Sequence, residues 1–277
     1  MRNSGSSFCV VTDMKGFSVA VLLLMSALPT AAQRSGSTLV SSGYGTLEMA
    51  ISGSGSPTVI FESGFSDTYE YWDQVVAAIS GTAKTVRYNR AGFGRSPLKR
   101  QPRTAEQIAK ELHAALMNAK VKPPYILVGH SAGGMYVRVF AHLFPSDVAG
   151  IVLVDPAPES LYSMMAKEDP ALWKALLDDL KNAPPGAQAQ MDANATTVDE
   201  VKAAWPLPSV PVVLISATKL FTPEWRRKVT SLQTTLVQQI PGARQIEATG
   251  CPHNIPGECP TVVSEVVLAM IAKLHKT

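Results

Sequence analysis

The run Tyr125-Ile126-Leu127-Val128-Gly129-His130-Ser131-Ala132-Gly133-Gly134 carries the strongest signal in this 277-residue chain. Its first four residues are a short apolar run of the kind that forms a buried strand, and Met135 to Phe144 is compatible with a helix. Between them stands the pattern G-x-S-x-G. A strand that turns sharply into a helix leaves no room for a Cβ two residues either side of the turn, which is what Gly129 and Gly133 provide. Such a turn lifts the Ser131 hydroxyl clear of the sheet, and the new helix aims its N-terminal amides at a reacting carbonyl. Ser131 is therefore the candidate nucleophile. A glycine- and serine-rich strand-to-helix turn without chemistry is the alternative, and the flanking strand and helix argue against it.

The pattern repeats on both sides. Gly45 to Ile51 alternates as a half-exposed antiparallel strand would, and Val59-Ile60-Phe61 is a short buried strand. A helix is expected from about Tyr69 to Ile79, then a strand at Thr85 to Tyr88. The next helix opens on the capping-box pattern Thr104-Ala105-Glu106-Gln107 and runs to about Ala119. After Ser131 and its helix comes the strand Ile151 to Asp155. From Pro156 to Ser209 no strand pattern occurs; helix-forming runs around Leu161, Leu172 and Val198 do, two of them separated by a Pro184-Pro185-Gly186 turn. This stretch, about 156–209, reads as a helical cap. Strand and helix then alternate again: Val212 to Ile215, Pro223 to Gln239, Gln245 to Glu247, Thr261 to Leu274. Continuous apolar strands alternating with helices predict an α/β fold, a mainly parallel central sheet with helices on both faces.

Composition is that of a globular protein, 46% hydrophobic and 17% charged, with a net charge of +3. No basic block or aromatic-interleaved basic stripe is present, so nucleic acid is not an expected partner. Lys15 precedes an apolar run from Val19 to Leu28, which is followed by Pro29-Thr30-Ala31-Ala32-Gln33. That is the form of a signal peptide over residues 1–32, cleaved near Ala32, with Met14 an alternative start and residues 1–13 an upstream extension. The run is too short to span a bilayer, which needs about 20 apolar residues. The expected product, residues 33–277, is a single exported domain, secreted or periplasmic, monomeric and without stable membrane insertion. In an oxidising compartment Cys251 and Cys259 read as a disulfide closing a short loop, against the alternative of two separate buried thiols. Two cysteines and one histidine at this spacing lack a second ligand pair for zinc, so no metal is expected.

In five elements the chain resembles the α/β-hydrolase superfamily: Phe61-Glu62-Ser63-Gly64-Phe65, Tyr88 to Ser96, Gly129 to Gly133, Val152 to Pro156 and Cys251-Pro252-His253. The resemblance covers essentially all of residues 33–277. It implies a Ser–acid–His triad in that order, a cap inserted after the strand ending at Asp155, and acyl chemistry without a cofactor. Small or medium carboxylic esters are the implied substrates. Acyl transfer, hydrolysis of lactones, amides or C–C bonds, and a non-catalytic ligand-binding module on the same fold are the alternatives. Dehalogenase and epoxide hydrolase relatives need a carboxylate where Ser131 stands.

His253, after the last strand, occupies the place where the family carries its general base. The acid departs from the family pattern. The stretch Ser216-Ala217-Thr218-Lys219-Leu220-Phe221 holds no carboxylate where most members have one. Asp155, at the end of the preceding strand, is the expected acid, and Glu224 the alternative. The backbone amides of Ala132 and Phe65 are the expected oxyanion hole. His130 is expected to pack beside the turn, His113, His142 and His275 to lie on helix surfaces, and Arg90 and Arg95 to form structural ion pairs.

Overall fold

The computed structural model describes residues 36–219 and 222–276. The expected signal peptide, its cleavage point and the Met14 start lie outside the described residues. Eight strands form one sheet: β1 (Ser37–Ser41), β2 (Thr46–Ser52), β3 (Thr58–Glu62), β4 (Thr85–Asn89), β5 (Tyr125–His130), β6 (Val148–Val154), β7 (Val212–Ala217) and β8 (Arg244–Ala248), in the order β1-β2-β4-β3-β5-β6-β7-β8. β1 and β2 pair antiparallel to each other, and β2 to β4; every pairing from β4 through β8 is parallel. Parallel strands end on one edge of the sheet, so the loops after β3, β5, β6, β7 and β8 come together there. Ligands of open parallel sheets bind at that edge.

The helices are α1 (Asp73–Ile79), α2 (Ala105–Asn118), α3 (Gly133–Leu143), α4 (Leu161–Glu168), α5 (Pro170–Leu180), α6 (Pro185–Asp192), α7 (Asn194–Ala203), α8 (Pro223–Gln238), α9 (Ile255–Glu258) and α10 (Pro260–Leu274). One core lies between the sheet and α2 and α3, built on Leu112, Leu116, Tyr125, Leu127, Val137 and Phe140; the other lies between the sheet and α1 and α10, built on Phe61, Trp72, Ile79, Val128, Val263 and Val267. β3, β5 and most of β6 are buried throughout, as strands covered on both faces must be. No helix among the described residues is long and apolar enough to cross a membrane.

Three local features differ from the sequence reading. β1, with Leu39 half exposed, is an edge strand in a stretch that composition marks only as rich in serine and glycine. β2 does not alternate: Leu47 through Ala50 are all buried, because Ser96 and Arg95 fold back over it and bond to Glu48. Pro184-Pro185-Gly186 is not a bare turn but the start of α6, with Pro185 in the first helical turn where a missing N–H costs nothing.

Four helices, α4 to α7, therefore lie between β6 and β7. α4 and α5 pack on α8 through Met165, Leu172 and Trp225, and the Trp225 indole N–H donates to Asp169 Oδ2 at 3.2 Å. α6 and α7 pack toward α2 and α3: Ala187 meets Phe93, Tyr136 Oη donates to Gln190 Oε1, and the Ala105 N–H donates to Thr197 Oγ1. The two ends of the insertion are joined at its base, where the Asp155 N–H donates to the Ile215 carbonyl.

Candidate active site

The turn after β5 is built as its glycines require. A Cβ on Gly129 would stand 2.6 Å from the Gly133 carbonyl oxygen, and one on Gly133 would stand 2.5 Å from the Glu62 carbonyl oxygen. Both clashes are with backbone, which cannot yield. Ser131 takes a left-handed φ of 51°, a conformation that costs a non-glycine residue of order 1–3 kcal/mol. The surrounding bonds hold it there: the Ser131 N–H donates to the Val154 carbonyl, and the Ser131 carbonyl accepts from Gly134 and Ala157.

His253 stands in the loop between β8 and α9. Its Nε2 is 3.0 Å from Ser131 Oγ, and its Nδ1 is 2.6 Å from Asp155 Oδ2. With the proton on Nδ1 and donated to Asp155, Nε2 keeps a lone pair toward the serine hydroxyl. The loop is fixed at several points. The Thr218 and Lys219 N–H groups both donate to the Cys251 carbonyl, His130 Nε2 lies 2.9 Å from the His253 carbonyl oxygen, and the Cys251 and Cys259 sulfurs are 2.17 Å apart.

Asp155 directly follows β6, again with a left-handed φ, here 40°. It is almost wholly buried and surrounded by donors. Oδ1 accepts from the Ala217 N–H at 3.1 Å, Gln233 Nε2 at 2.9 Å and the Arg226 guanidinium at 2.9 Å; Oδ2 accepts from His253. Burial alone pushes the carboxyl pKa up. The His253 bond and charge, the Arg226 charge and the Gln233 bond outweigh it and hold Asp155 well below the usual carboxylate range. The end of β7 thus supplies a backbone amide, and α8 supplies Arg226 and Gln233, where most members of the family have a carboxylate. Gln233 is itself held by Ser216 and Arg226 through its Oε1.

Glu224 does not join this group. It is exposed in the first turn of α8 and pairs with Lys228 at 2.9 Å. The structure brings Ser131, His253 and Asp155 together and leaves Glu224 outside.

The amides of Ala132, at the head of α3, and Phe65, in the loop after β3, find no acceptor among the described residues. The Phe65 loop is braced from below. Arg90 donates to the Ser63 and Gly64 carbonyls at 2.7 and 2.6 Å and pairs with buried Glu62 at 2.6 Å, while Tyr88 Oη donates to the other Glu62 oxygen. Arg95 pairs with Glu48 at 2.8 Å. Both arginines sit in structural pairs. His130 packs beside the turn against Tyr71 and Trp72. His142 and His275 are exposed, whereas His113 is half buried, stacked on Phe144 and bonded to Asp147. Among the described residues no group of three or more histidine, cysteine, aspartate or glutamate side chains is arranged to hold a metal ion.

Sequence reasoning passes over Arg226 and Gln233. Their signal is a spacing of seven in α8, on the face that also buries Val229. Two polar residues on the buried stripe of a helix need partners, and here the partner is Asp155.

A family model described as alpha/beta hydrolase fold matches residues 57–245. An uncharacterised protein of Bacillus subtilis (strain 168) is 41% identical over 105 residues, which make up 38% of this chain and 42% of that protein. The match thus spans less than half of that relative. Among solved structures, a candidate lipase of Acinetobacter baumannii shares 16% identity at a TM-score of 0.68, over 95% of this chain and 99% of that one. An esterase from Rhodococcus shares 20% identity at a TM-score of 0.60, over 84% and 97%. At these identities the structural likeness speaks to the fold.

Proposed function

The chain belongs to the α/β-hydrolase fold family, and on that premise we propose that it is a serine hydrolase of small to medium carboxylic esters. The family and its esterase and lipase neighbours support hydrolase chemistry in general. The observation that carries the finer reading is the unbroken line Ser131 Oγ–His253 Nε2 at 3.0 Å and His253 Nδ1–Asp155 Oδ2 at 2.6 Å.

In this reading Ser131 Oγ attacks the ester carbonyl carbon and its proton passes to His253 Nε2. Asp155 holds the imidazole in the tautomer that can accept that proton, and it stabilises the imidazolium. The negative charge gathers on the carbonyl oxygen, where the Ala132 and Phe65 amides are free to donate. The tetrahedral adduct collapses, the C–O bond breaks, and the leaving alcohol takes the proton back from His253. Water, deprotonated by the same imidazole, then releases the acid and restores Ser131. Acyl transfer and the hydrolysis of lactones, amides or C–C bonds would use the same groups. A non-catalytic module is less well supported, because the carboxylate missing after Ile215 has a substitute in contact with His253.

A fluorophosphonate probe with intact mass detection tests this. A single adduct on the wild type that is absent from Ser131→Ala is expected. A folded wild type that takes no adduct would overturn the reading. The same reading treats residues 1–32 as an export signal and Cys251–Cys259 as a disulfide formed after export. The checks are the N-terminus of the protein recovered outside the cytoplasm, and the mass gain of the two hydrogens added by reductant under denaturing conditions.

A further inference from the structure

Close to Ser131, across Gly64, lies a carboxylate that the hydrolysis just described does not use. Asp67 sits two residues after Phe65, and Ser66 between them takes a left-handed φ of 65°. From the point where a Cβ on Gly64 would stand, Asp67 Oδ2 is 2.5 Å away, His130 Nδ1 is 2.9 Å and the Ser131 Cβ is 3.3 Å. Nucleophile, histidine and carboxylate thus converge on one glycine, within a side-chain length of each other.

Among the described residues no lysine or arginine pairs with Asp67. Its nearest nitrogen partner is His130 Nδ1, at 3.7 Å, beyond hydrogen-bond length. Nor is His130 Nδ1 a suitable partner. His130 Nε2 faces the His253 carbonyl oxygen, an acceptor, so Nε2 carries the proton. In the neutral ring Nδ1 is then a lone pair. That atom is buried, on a side chain 2% exposed, and has no hydrogen-bond partner. The Asp67 side chain, by contrast, is 27% exposed. Around them are aromatic rings: Tyr71 against His130, and Phe65 against Tyr162 of α4. Burial first, and then the Asp67 charge, raise the pKa of the Tyr71 phenol; the same charge contributes at Tyr162. Asp67 thus lies within electrostatic reach of both phenols.

An unpaired carboxylate next to an oxyanion hole opposes the charge that develops there. A positive charge on the substrate removes that opposition, and a carboxylate with aromatic side chains nearby is a suitable seat for an ammonium group. We propose that Asp67 is a specificity-determining residue that selects esters whose acyl part carries an ammonium group next to the scissile carbonyl. The proposal rests on Ser131 being the nucleophile and goes beyond it in naming the substrate class.

Leucine ethyl ester and ethyl 4-methylpentanoate share one carbon skeleton and differ by the amine, so they isolate the charge. Wild type and Asp67→Asn are compared on both by kcat/KM, below the amine pKa, and Ser131→Ala on either ester serves as the control. The expected result is a crossing. Asp67→Asn lowers kcat/KM on the amino ester by about tenfold or more, the loss of a charge-assisted bond, and leaves the neutral ester unchanged or faster. An equal fall on both esters would overturn the proposal and make Asp67 a support for His130. No change on either would overturn it as well. Turnover that survives in Ser131→Ala would instead count against the nucleophile assignment, and a wild type that takes the fluorophosphonate label yet turns over neither ester would overturn the proposal. Folding of the variant is checked by its fluorophosphonate labelling, which needs no amine.

Discussion

Ser131 and Asp155 share an unusual backbone: each directly follows a strand, and each holds a left-handed φ although neither is glycine. Strain of this kind persists only where neighbours over-determine it. In both cases the neighbours are backbone bonds to the adjacent strand. Replacing Asp155 tests its proposed role directly. Asp155→Asn is expected to lower turnover by about 10⁴-fold, as in the serine-protease template, while Glu224→Gln leaves it unchanged; steady-state kinetics on one generic ester would show both. Gly133→Ala places a methyl group against the Glu62 carbonyl and is expected to lose probe labelling even if some protein remains folded. Ser131 was legible because its motif is local: five residues carry the turn, the hydroxyl and the Ala132 amide. Asp155 was legible only as one of two candidates. What separates it from Glu224 is a set of partners 60 to 100 positions away in the chain, and no spacing rule reaches that far.

At the scale of elements, α8 matters most for the charge of the site. Its Arg226 is the fixed cation beside Asp155, and removing one member of a buried pair costs about 3–5 kcal/mol when nothing replaces it. The Ala217 amide and Gln233 still bond to Asp155, so Arg226→Met is expected to fall at or below the lower end of that range, measured as a loss of stability in urea. The opening of α2 was half right in the sequence: Thr104 Oγ1 accepts from the Gln107 N–H, but the Gln107 side chain reaches forward to Glu111 rather than back to complete the box. The edge of the sheet was harder to read. β2 carries a glutamate in a buried run, and only the fold-back of Arg95 explains it. Burial pushes Glu48 up, yet the Arg95, Asn89 and Ser37 bonds hold its pKa at about 2. A pKa lowered in the folded state stabilises above the unfolded value and loses that contribution as pH falls through the folded one. Stability should therefore fall between about pH 5 and pH 2, and less steeply in Glu48→Gln, as read by thermal midpoints across that range.

For the molecule as a whole, the sequence was informative about order and poor about proximity. Alternating apolar strands and helices predicted the parallel sheet, and a parallel sheet puts its strand ends on one edge. The contributing residues come from positions as far apart as Gly64 and His253 and meet there. Apolar residues at helical spacing around Leu161 and Leu172 could line a pocket or pack; Met165 and Leu172 pack against Trp225, and Leu177 is exposed. Sequence could not choose between these because the same helical spacing serves both. The stretch from α4 to α7 also divides the chain. Ser131 and Asp155 come before it; the Arg226 and Gln233 partners and His253 come after. A protein cut in the link between α7 and β7 would yield two pieces, one with hydroxyl and carboxylate, the other with the imidazole, and neither with a working set. Turnover in a mixture of the two would then report their reassembly, which makes this chain a natural starting point for a split reporter of proximity.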